Sequence, residues 1–221
     1  NKIPEHPLII IGKGFSKDID LLVGTNLNEA TFFTMLNPQI QNIDWSELPN
    51  HIKIFLNRLN LSDEEIKELI NLFKINRNTP YEVLNAISTE SSFRYHTRNI
   101  IEAQLDNNSN VYSFLFTYKT PLQGGIFGAT HALEVPFVFG TLDDIEIGIY
   151  PKRDEINTKI SEQMMDSWIS FARIGNPNHE GIPEWPTYDI KNRSTILFGN
   201  ETKVERDPLR EERLAIERII L

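Results

Sequence analysis

Asp20-Leu-Leu-Val-Gly-Thr25 is a short apolar stretch that ends at a glycine and polar residues. A run of this length, bounded in this way, is typical of a β-strand that is buried on both faces. Val111-Tyr-Ser-Phe-Leu-Phe116 shows a similar pattern with many aromatic side chains, and Ser194-Thr-Ile-Leu-Phe-Gly199 shows it again. The sequence therefore predicts three core strands.

Helical patterns lie between the first two strands. From Asp44 onward, apolar residues recur at spacings of three and four, and these residues are Trp45, Leu48, Ile52, Phe55, Leu56 and Leu59. Ser62-Asp-Glu-Glu65 then has the form of a capping box, which begins a helix. Thr79-Pro80 begins another helix, which we expect to run to Leu105 with a break near Ser91.

Two more helices are predicted after the second strand. Asp154 to Ile174 carries apolar residues at helical spacing and is followed by the terminator Gly175-Asn-Pro177. Leu209 to Ile220 reads as a charged amphipathic helix. Strands that alternate with helices in this order predict an α/β fold, with about three mainly parallel core strands flanked by helices. No repeat or linker divides residues 1–221, so we expect one structural unit.

Composition excludes several classes of function. The formal net charge of −9 and the pI near 5.1, without clusters of Lys or Arg, argue against binding to nucleic acid or to an anionic membrane. The longest apolar runs, such as Leu8 to Ile11, are too short to span a bilayer. The absence of cysteine excludes disulfides and a cysteine nucleophile, and it fits a reducing compartment, so we expect a cytoplasmic protein. Asn1 to Pro7 resembles neither a translation start nor a signal peptide, so we expect that the chain begins within a longer protein.

Two side chains are candidates for chemistry, because both follow predicted strands. Glu29 comes just after the first strand, and His131 lies in Gly125-Ile-Phe-Gly-Ala-Thr-His-Ala-Leu-Glu-Val-Pro-Phe-Val-Phe-Gly140, after the second. The carboxyl ends of parallel strands meet at one edge of a sheet. The alternatives are a solvated surface glutamate and a histidine that only fills the core. A metal role is the weakest interpretation, because no pair of the five histidines has helix or hairpin ligand spacing.

A carboxylate and an imidazole are two parts of a nucleophile, base and acid relay. The carboxylate selects the tautomer of the imidazole and stabilises the imidazolium that forms when the base takes a proton from an attacking hydroxyl. The order acid and then histidine is the one that α/β-hydrolases have after their serine. The serine itself is missing from this pattern.

Four motifs resemble those of one family. Gly24-Thr-Asn-Leu-Asn-Glu29 is similar to the acid-bearing motif of type-B carboxylesterases, and His131 to Gly140 is similar to their histidine motif in its para-nitrobenzyl-esterase-like form. Trp168 to Pro177 resembles the end of a helix in that family, and Trp185 to Tyr188 resembles the turn before its last strand. The motifs occur in the family's order over almost the whole chain, so the resemblance implies an α/β-hydrolase fold.

The resemblance implies that Glu29 is the acid and His131 the general base of a Ser-His-Glu triad that hydrolyses carboxylic esters without cofactor or metal. It implies that two neighbouring residues support the loops, namely Asn26 and Glu134. Two aromatic residues are expected to line an acyl or alcohol pocket, with core packing as the alternative: Phe32 and Phe33. The family more often has Asp and Gly where this chain has Asn28 and Ala30. The methyl group of Ala30 is expected to displace Glu29 slightly.

The family's serine lies in a Gly-x-Ser-x-Gly motif, which this sequence does not contain. The resemblance therefore covers the C-terminal portion of a catalytic domain, and we expect the chain alone to be essentially inactive. We expect the N-terminal half, as a separate chain or a missing segment, to be its partner and to cover an otherwise open sheet edge, with pairing between identical chains as the alternative. We expect a small-molecule ester to be its substrate. A non-catalytic interaction module and an inactive relic fragment remain the alternatives.

Overall fold

A computed structural model describes residues 5–107, 109–143 and 148–220. The helices are α1 (Pro7–Gly12), α2 (Thr31–Thr34), α3 (Pro38–Gln41), α4 (Leu48–Phe55), α5 (Asp63–Phe73), α6 (Pro80–Thr89), α7 (Tyr95–Leu105), α8 (Val135–Phe139), α9 (Glu155–Ile174) and α10 (Arg210–Ile220). The strands are β1 (Leu21–Asn26), β2 (Val111–Phe116), β3 (Ser194–Phe198) and β4 (Lys203–Arg206). Short 3₁₀ turns cover Asn57–Leu59 and Leu122–Gly125.

The strands form one sheet in the order β1-β2-β3-β4. β1 pairs in parallel with β2, and β2 pairs in parallel with β3, so that Val23, Ser113 and Thr195 lie side by side. β4 pairs antiparallel with β3. The α/β fold with three mainly parallel strands is therefore confirmed, and β4 is an addition that the apolar pattern did not predict.

Successive side chains of a strand point to opposite faces of the sheet, so these apolar strands make both faces apolar. Helices cover both faces. On one face, the aromatic residues of β2 pack with α8, α9 and Trp185 in a core that includes Phe116, Phe137 and Phe198. On the other face, Val111 packs against Ile101 of α7. A second core lies among α4, α5, α6 and α10, and the described residues that form it lie outside the strands.

The predicted helix boundaries agree with local capping. Ser62 and Glu65 form the predicted capping box at the start of α5, and Asp154 forms a similar one with Asn157 at the start of α9. Gly175 ends α9 with a φ of 70°, a left-handed conformation that glycine adopts without strain. The predicted helix from Asp44 is shorter than expected. It begins at Leu48, because Pro49 belongs in a first turn, and Trp45 before it is 37% exposed.

A π-turn over Glu90–Arg94 joins α6 to α7, at the position of the predicted break near Ser91. It is defined by a hydrogen bond from the Tyr95 N–H to the carbonyl of Glu90, five residues earlier in the chain. The Glu90 side chain is fully buried and binds both Arg94 and Arg98. Burial by itself raises the pKa of Glu90, but the two guanidinium groups outweigh it and hold this pKa below its ordinary value.

β1 lies at one edge of the described sheet. Its Leu21 N–H donates to Asn110, and the N–H of the following Leu27 donates to Phe116, so the odd-numbered residues face β2. The backbone groups of Leu22 and Gly24 therefore face the other side, where no strand of the described residues pairs with them. Among the same residues, no helix combines the length and apolar character that a membrane crossing requires.

Candidate active site

Two loops at the carboxyl edge of the sheet form the candidate site. The pairing of β1 and β2 extends past the strand ends, because Asn28 and Thr130 form a further parallel bridge. The Asn28 N–H donates to the Ala129 carbonyl at 2.9 Å, and the Asn28 side-chain oxygen accepts from the Ala129 N–H at 3.0 Å. These contacts fix the loop after β1 and the loop after β2 in register, so the side chains at 29 and 131 can meet.

Glu29 and His131 lie in direct contact. Glu29 Oε2 is 2.7 Å from His131 Nδ1, and Glu29 Oε1 accepts from the Asn26 N–H at 2.7 Å. Glu29 is only 6% exposed, whereas the imidazole is 43% exposed. An ionised carboxylate can only accept, so a neutral His131 carries its proton on Nδ1. Nε2 is then a base, and it makes no hydrogen bond to any described residue.

Asn26 ties the two loops together. Its side-chain amide donates to the Thr130 carbonyl at 2.7 Å and to Glu134 Oε2 at 2.5 Å. Burial raises the pKa of Glu134, and the nearby charge of Glu29 raises it further, while the hydrogen bond from Asn26 opposes the change. The structure thus brings the two predicted supporting residues next to the Glu29 and His131 pair, and their supporting role stays a prediction.

Three phenylalanines surround the imidazole. The ring centroids of Phe32, Phe33 and Phe93 lie 6.1, 5.4 and 5.7 Å from that of His131. Phe32 is 39% exposed and Phe33 is 60% exposed, so neither is a core residue among the described part of the chain. Their role in a substrate pocket stays a prediction. Phe93 was missed, because it lies within a helical pattern and only the π-turn directs it to this site.

Ala30 is one of the two residues, with Asn28, that depart from the family's pattern. Ala30 has right-handed backbone angles, with a φ of −66°, and its N–H donates to Thr89 Oγ1 at 3.0 Å. These angles suit any residue, so a glycine is not required here. The methyl group leaves the contact between Glu29 and His131 in place.

The residue after His131 has an uncommon backbone conformation. Ala132 has a φ of 63°, in the left-handed region that costs a residue with a side chain some strain. Its carbonyl accepts from the Tyr150 hydroxyl at 3.3 Å. Among residues 5–107, 109–143 and 148–220, no group of three His, Asp or Glu side chains is placed to hold a metal ion.

Comparisons with known proteins show what this chain is similar to. A model described as "Carboxylesterase family" matches residues 1–216. Over 212 residues, the chain is 26% identical to the para-nitrobenzyl esterase of Bacillus subtilis, and over 220 residues it is 23% identical to the phenmedipham hydrolase of Pseudarthrobacter oxydans. A solved carboxylesterase of Geobacillus stearothermophilus superposes with a TM-score of 0.80 at 28% identity, over 96% of this chain and 43% of that one.

The chain spans only part of these relatives. The matches cover 96% of this chain and 40% of the Bacillus protein, and 97% of this chain and 42% of the Pseudarthrobacter protein. Each of these relatives is therefore more than twice as long as the part that is similar.

Proposed function

Because this chain belongs to the carboxylesterase family, we propose that it supplies the acid and the base of a serine carboxylesterase. In this proposal Glu29 is the triad acid, His131 is the general base, and the substrate is a small-molecule carboxylic ester. The observation that carries it is the 2.7 Å contact between Glu29 Oε2 and His131 Nδ1, beside a partly exposed imidazole.

The proposed chemistry follows from the state of His131. Nε2 takes the proton of an attacking serine hydroxyl, and the serine oxygen adds to the ester carbonyl. The imidazolium that forms then protonates the leaving alcohol, and water releases the acyl group by the same steps. Glu29 stabilises the imidazolium across the contact at Nδ1, and its own orientation comes from the Asn26 N–H.

The serine and the oxyanion donors come from polypeptide outside these 221 residues in this proposal, because the sequence contains no Gly-x-Ser-x-Gly motif. The unpaired side of β1 supports a partner at that place. Leu22 and Gly24 present backbone groups that a further strand would pair. We propose that the N-terminal half of the esterase, as a separate chain or as part of a longer one, pairs there.

The experiment measures p-nitrophenyl acetate hydrolysis by the complete protein and labelling of its serine by a fluorophosphonate. We expect His131→Ala to lower kcat by several orders of magnitude, and Glu29→Gln by on the order of 10⁴. His96→Ala is the matched control, because His96 is exposed on α7 and rests edge-on against Tyr95. Its kcat should equal that of the parent.

The isolated 221-residue chain should give no turnover above buffer or above its own His131→Ala variant. A complete protein that binds no fluorophosphonate, and whose residual turnover is indifferent to His131→Ala, would refute the proposal. That result would favour a non-catalytic interaction module instead.

A further inference from the structure

One helical segment contacts the loop that carries Glu29. We name residues 26–30 the acid loop. Thr89 Oγ1 accepts from the Ala30 N–H at 3.0 Å, at one end of this loop. At the other end, Arg94 Nη1 donates to the carbonyl of Asn26 at 3.2 Å and to that of Leu27 at 3.3 Å. The acid loop is therefore held at both ends by residues five apart in sequence.

The π-turn brings both residues to the side of the segment that faces the acid loop. A regular α-helix turns by roughly 100° per residue, so a residue five positions on would point roughly 140° away from the first. In a π-turn, residue i+5 lies close above residue i, because the hydrogen bond closes over five residues. The bond from the Tyr95 N–H to the Glu90 carbonyl marks this geometry. The extra residue thus brings Arg94 to the side of Thr89.

The carboxylate of Glu90 holds the guanidinium of Arg94 in place. Its Nε donates to Glu90 Oε2 at 2.5 Å, and the Arg94 side chain is about nine-tenths buried. Arg98 donates to the other oxygen of Glu90 at 2.6 Å, so the carboxylate cannot turn away. A planar guanidinium held in this way presents its remaining donors in one orientation.

The contacts continue from Arg94 to the imidazole. Arg94 binds the Asn26 carbonyl, the Asn26 N–H binds Glu29 Oε1, and Glu29 Oε2 meets His131 Nδ1. The carbonyl and the N–H of Asn26 lie on the two sides of its Cα, so a shift of the Asn26 backbone would move Glu29 relative to the imidazole. Arg98 shares Glu90 with Arg94 but makes no hydrogen bond to the acid loop.

We propose that Arg94, directed by the π-turn, is a positioning residue that sets the contact between Glu29 and His131. The catalytic meaning of this role rests on the proposed function, whereas the positioning can be measured without hydrolysis. Arg94 does not touch the reacting atoms, and its effect passes through the backbone of Asn26.

The test uses NMR of the complete protein, with Arg94→Met compared against Arg98→Met. Each variant removes one guanidinium from Glu90, so both should lower stability. We expect Arg94→Met to lose the downfield Nδ1–H resonance of His131. We also expect hydrogen exchange at the Asn26 amide to become roughly tenfold faster, because this factor corresponds to the loss of about one hydrogen bond to a charged group. Arg98→Met should keep the resonance and the Asn26 exchange rate.

Equal loss of the resonance in both variants, or its persistence in Arg94→Met, overturns the positioning role. If Arg94→Met fails to fold, Arg94→Lys and Arg98→Lys replace the pair, because lysine keeps the charge beside Glu90 but lacks the planar set of donors. Loss only in Arg94→Lys supports the proposal. A parent chain without the downfield resonance contradicts the Glu29 contact itself, and with it the proposed function.

Discussion

Neutralising Glu90 should destabilise the chain strongly. Glu90 is fully buried, and its two oxygens accept from Arg94 and Arg98, whose side chains are 9% and 13% exposed. Glu90→Gln keeps the shape but leaves the guanidinium of Arg94 without a carboxylate partner among the described residues, while Arg98 keeps Glu217 at 3.4 Å. Removal of one partner from a buried pair costs about 3–5 kcal/mol. For a chain of 221 residues, a loss of this size lowers Tm by roughly 6–20 °C.

The same substitution at Glu134 should act in the opposite direction, and it is the matched control. Glu134 has no arginine partner among the described residues, and burial raises its pKa. Its ionised form is therefore less favourable in the folded chain than in the unfolded one. Glu134→Gln removes that cost and still accepts from Asn26. We expect its free energy of unfolding at pH 7 to equal or exceed that of the parent.

The two variants should also differ in their pH dependence. The pKa of Glu90 is lowered, so its carboxylate contributes stability above the ordinary glutamate pKa of about 4.3, and this contribution is lost as the pH falls through the folded value. The pKa of Glu134 is raised, so the protonated side chain contributes to the free energy of unfolding. This contribution is fully present below the ordinary glutamate pKa and is lost as the pH rises through the folded pKa. The difference in the free energy of unfolding between Glu90→Gln and Glu134→Gln should therefore be largest at neutral pH and smaller in acid.

Urea unfolding followed by circular dichroism between pH 3 and pH 8 measures both effects. The reasoning is wrong if Glu90→Gln unfolds within about 1 kcal/mol of the parent at pH 7, the size of a single ordinary hydrogen bond. It is also wrong if Glu134→Gln is destabilised as much as Glu90→Gln.

Two further substitutions test the backbone and the helix ends. Gly24→Ala should lower the free energy of unfolding by about 1–3 kcal/mol, because the new methyl group would lie 2.1 Å from the Phe114 carbonyl oxygen. Gly12→Ala is its control: no atom lies within 4 Å of that methyl position, so thermal unfolding of this variant should occur at or above the parent temperature. A Gly24→Ala chain as stable as the parent would contradict the close approach. Ser62→Ala should cost about 1 kcal/mol in urea unfolding, because the hydroxyl accepts from the Glu65 N–H at the start of α5, and an unchanged midpoint would remove the capping box as a source of stability.

The sequence predicts those parts of the fold that depend on local patterns. β1, β2 and β3 are apolar runs with clear ends, and the helix from Asp154 has a capping residue at one end and Gly175 at the other. β4 was missed because Lys203-Val-Glu-Arg206 is short, charged and at a sheet edge, so burial leaves little pattern in it.

The sequence predicts the central pair of the candidate site but not the residues around it. Glu29 and His131 follow predicted strands, and general rules place both at one edge of the sheet. Phe93 and Arg94 could not be found in this way, because their direction depends on one additional residue in a helical turn. The oppositely charged pair of Glu90 and Arg94, four apart in a helical pattern, was the available signal.

The unpaired side of β1 makes the solution behaviour of the isolated chain depend on ionic strength. A strand with free backbone groups can add a strand from another copy, and repulsion between chains of net charge −9 opposes this addition. Salt shortens the range of that repulsion to about 10 Å at 0.1 M. We therefore expect dilute buffer to keep separate molecules apart, and added salt to let them aggregate through the edge that the described strands leave open.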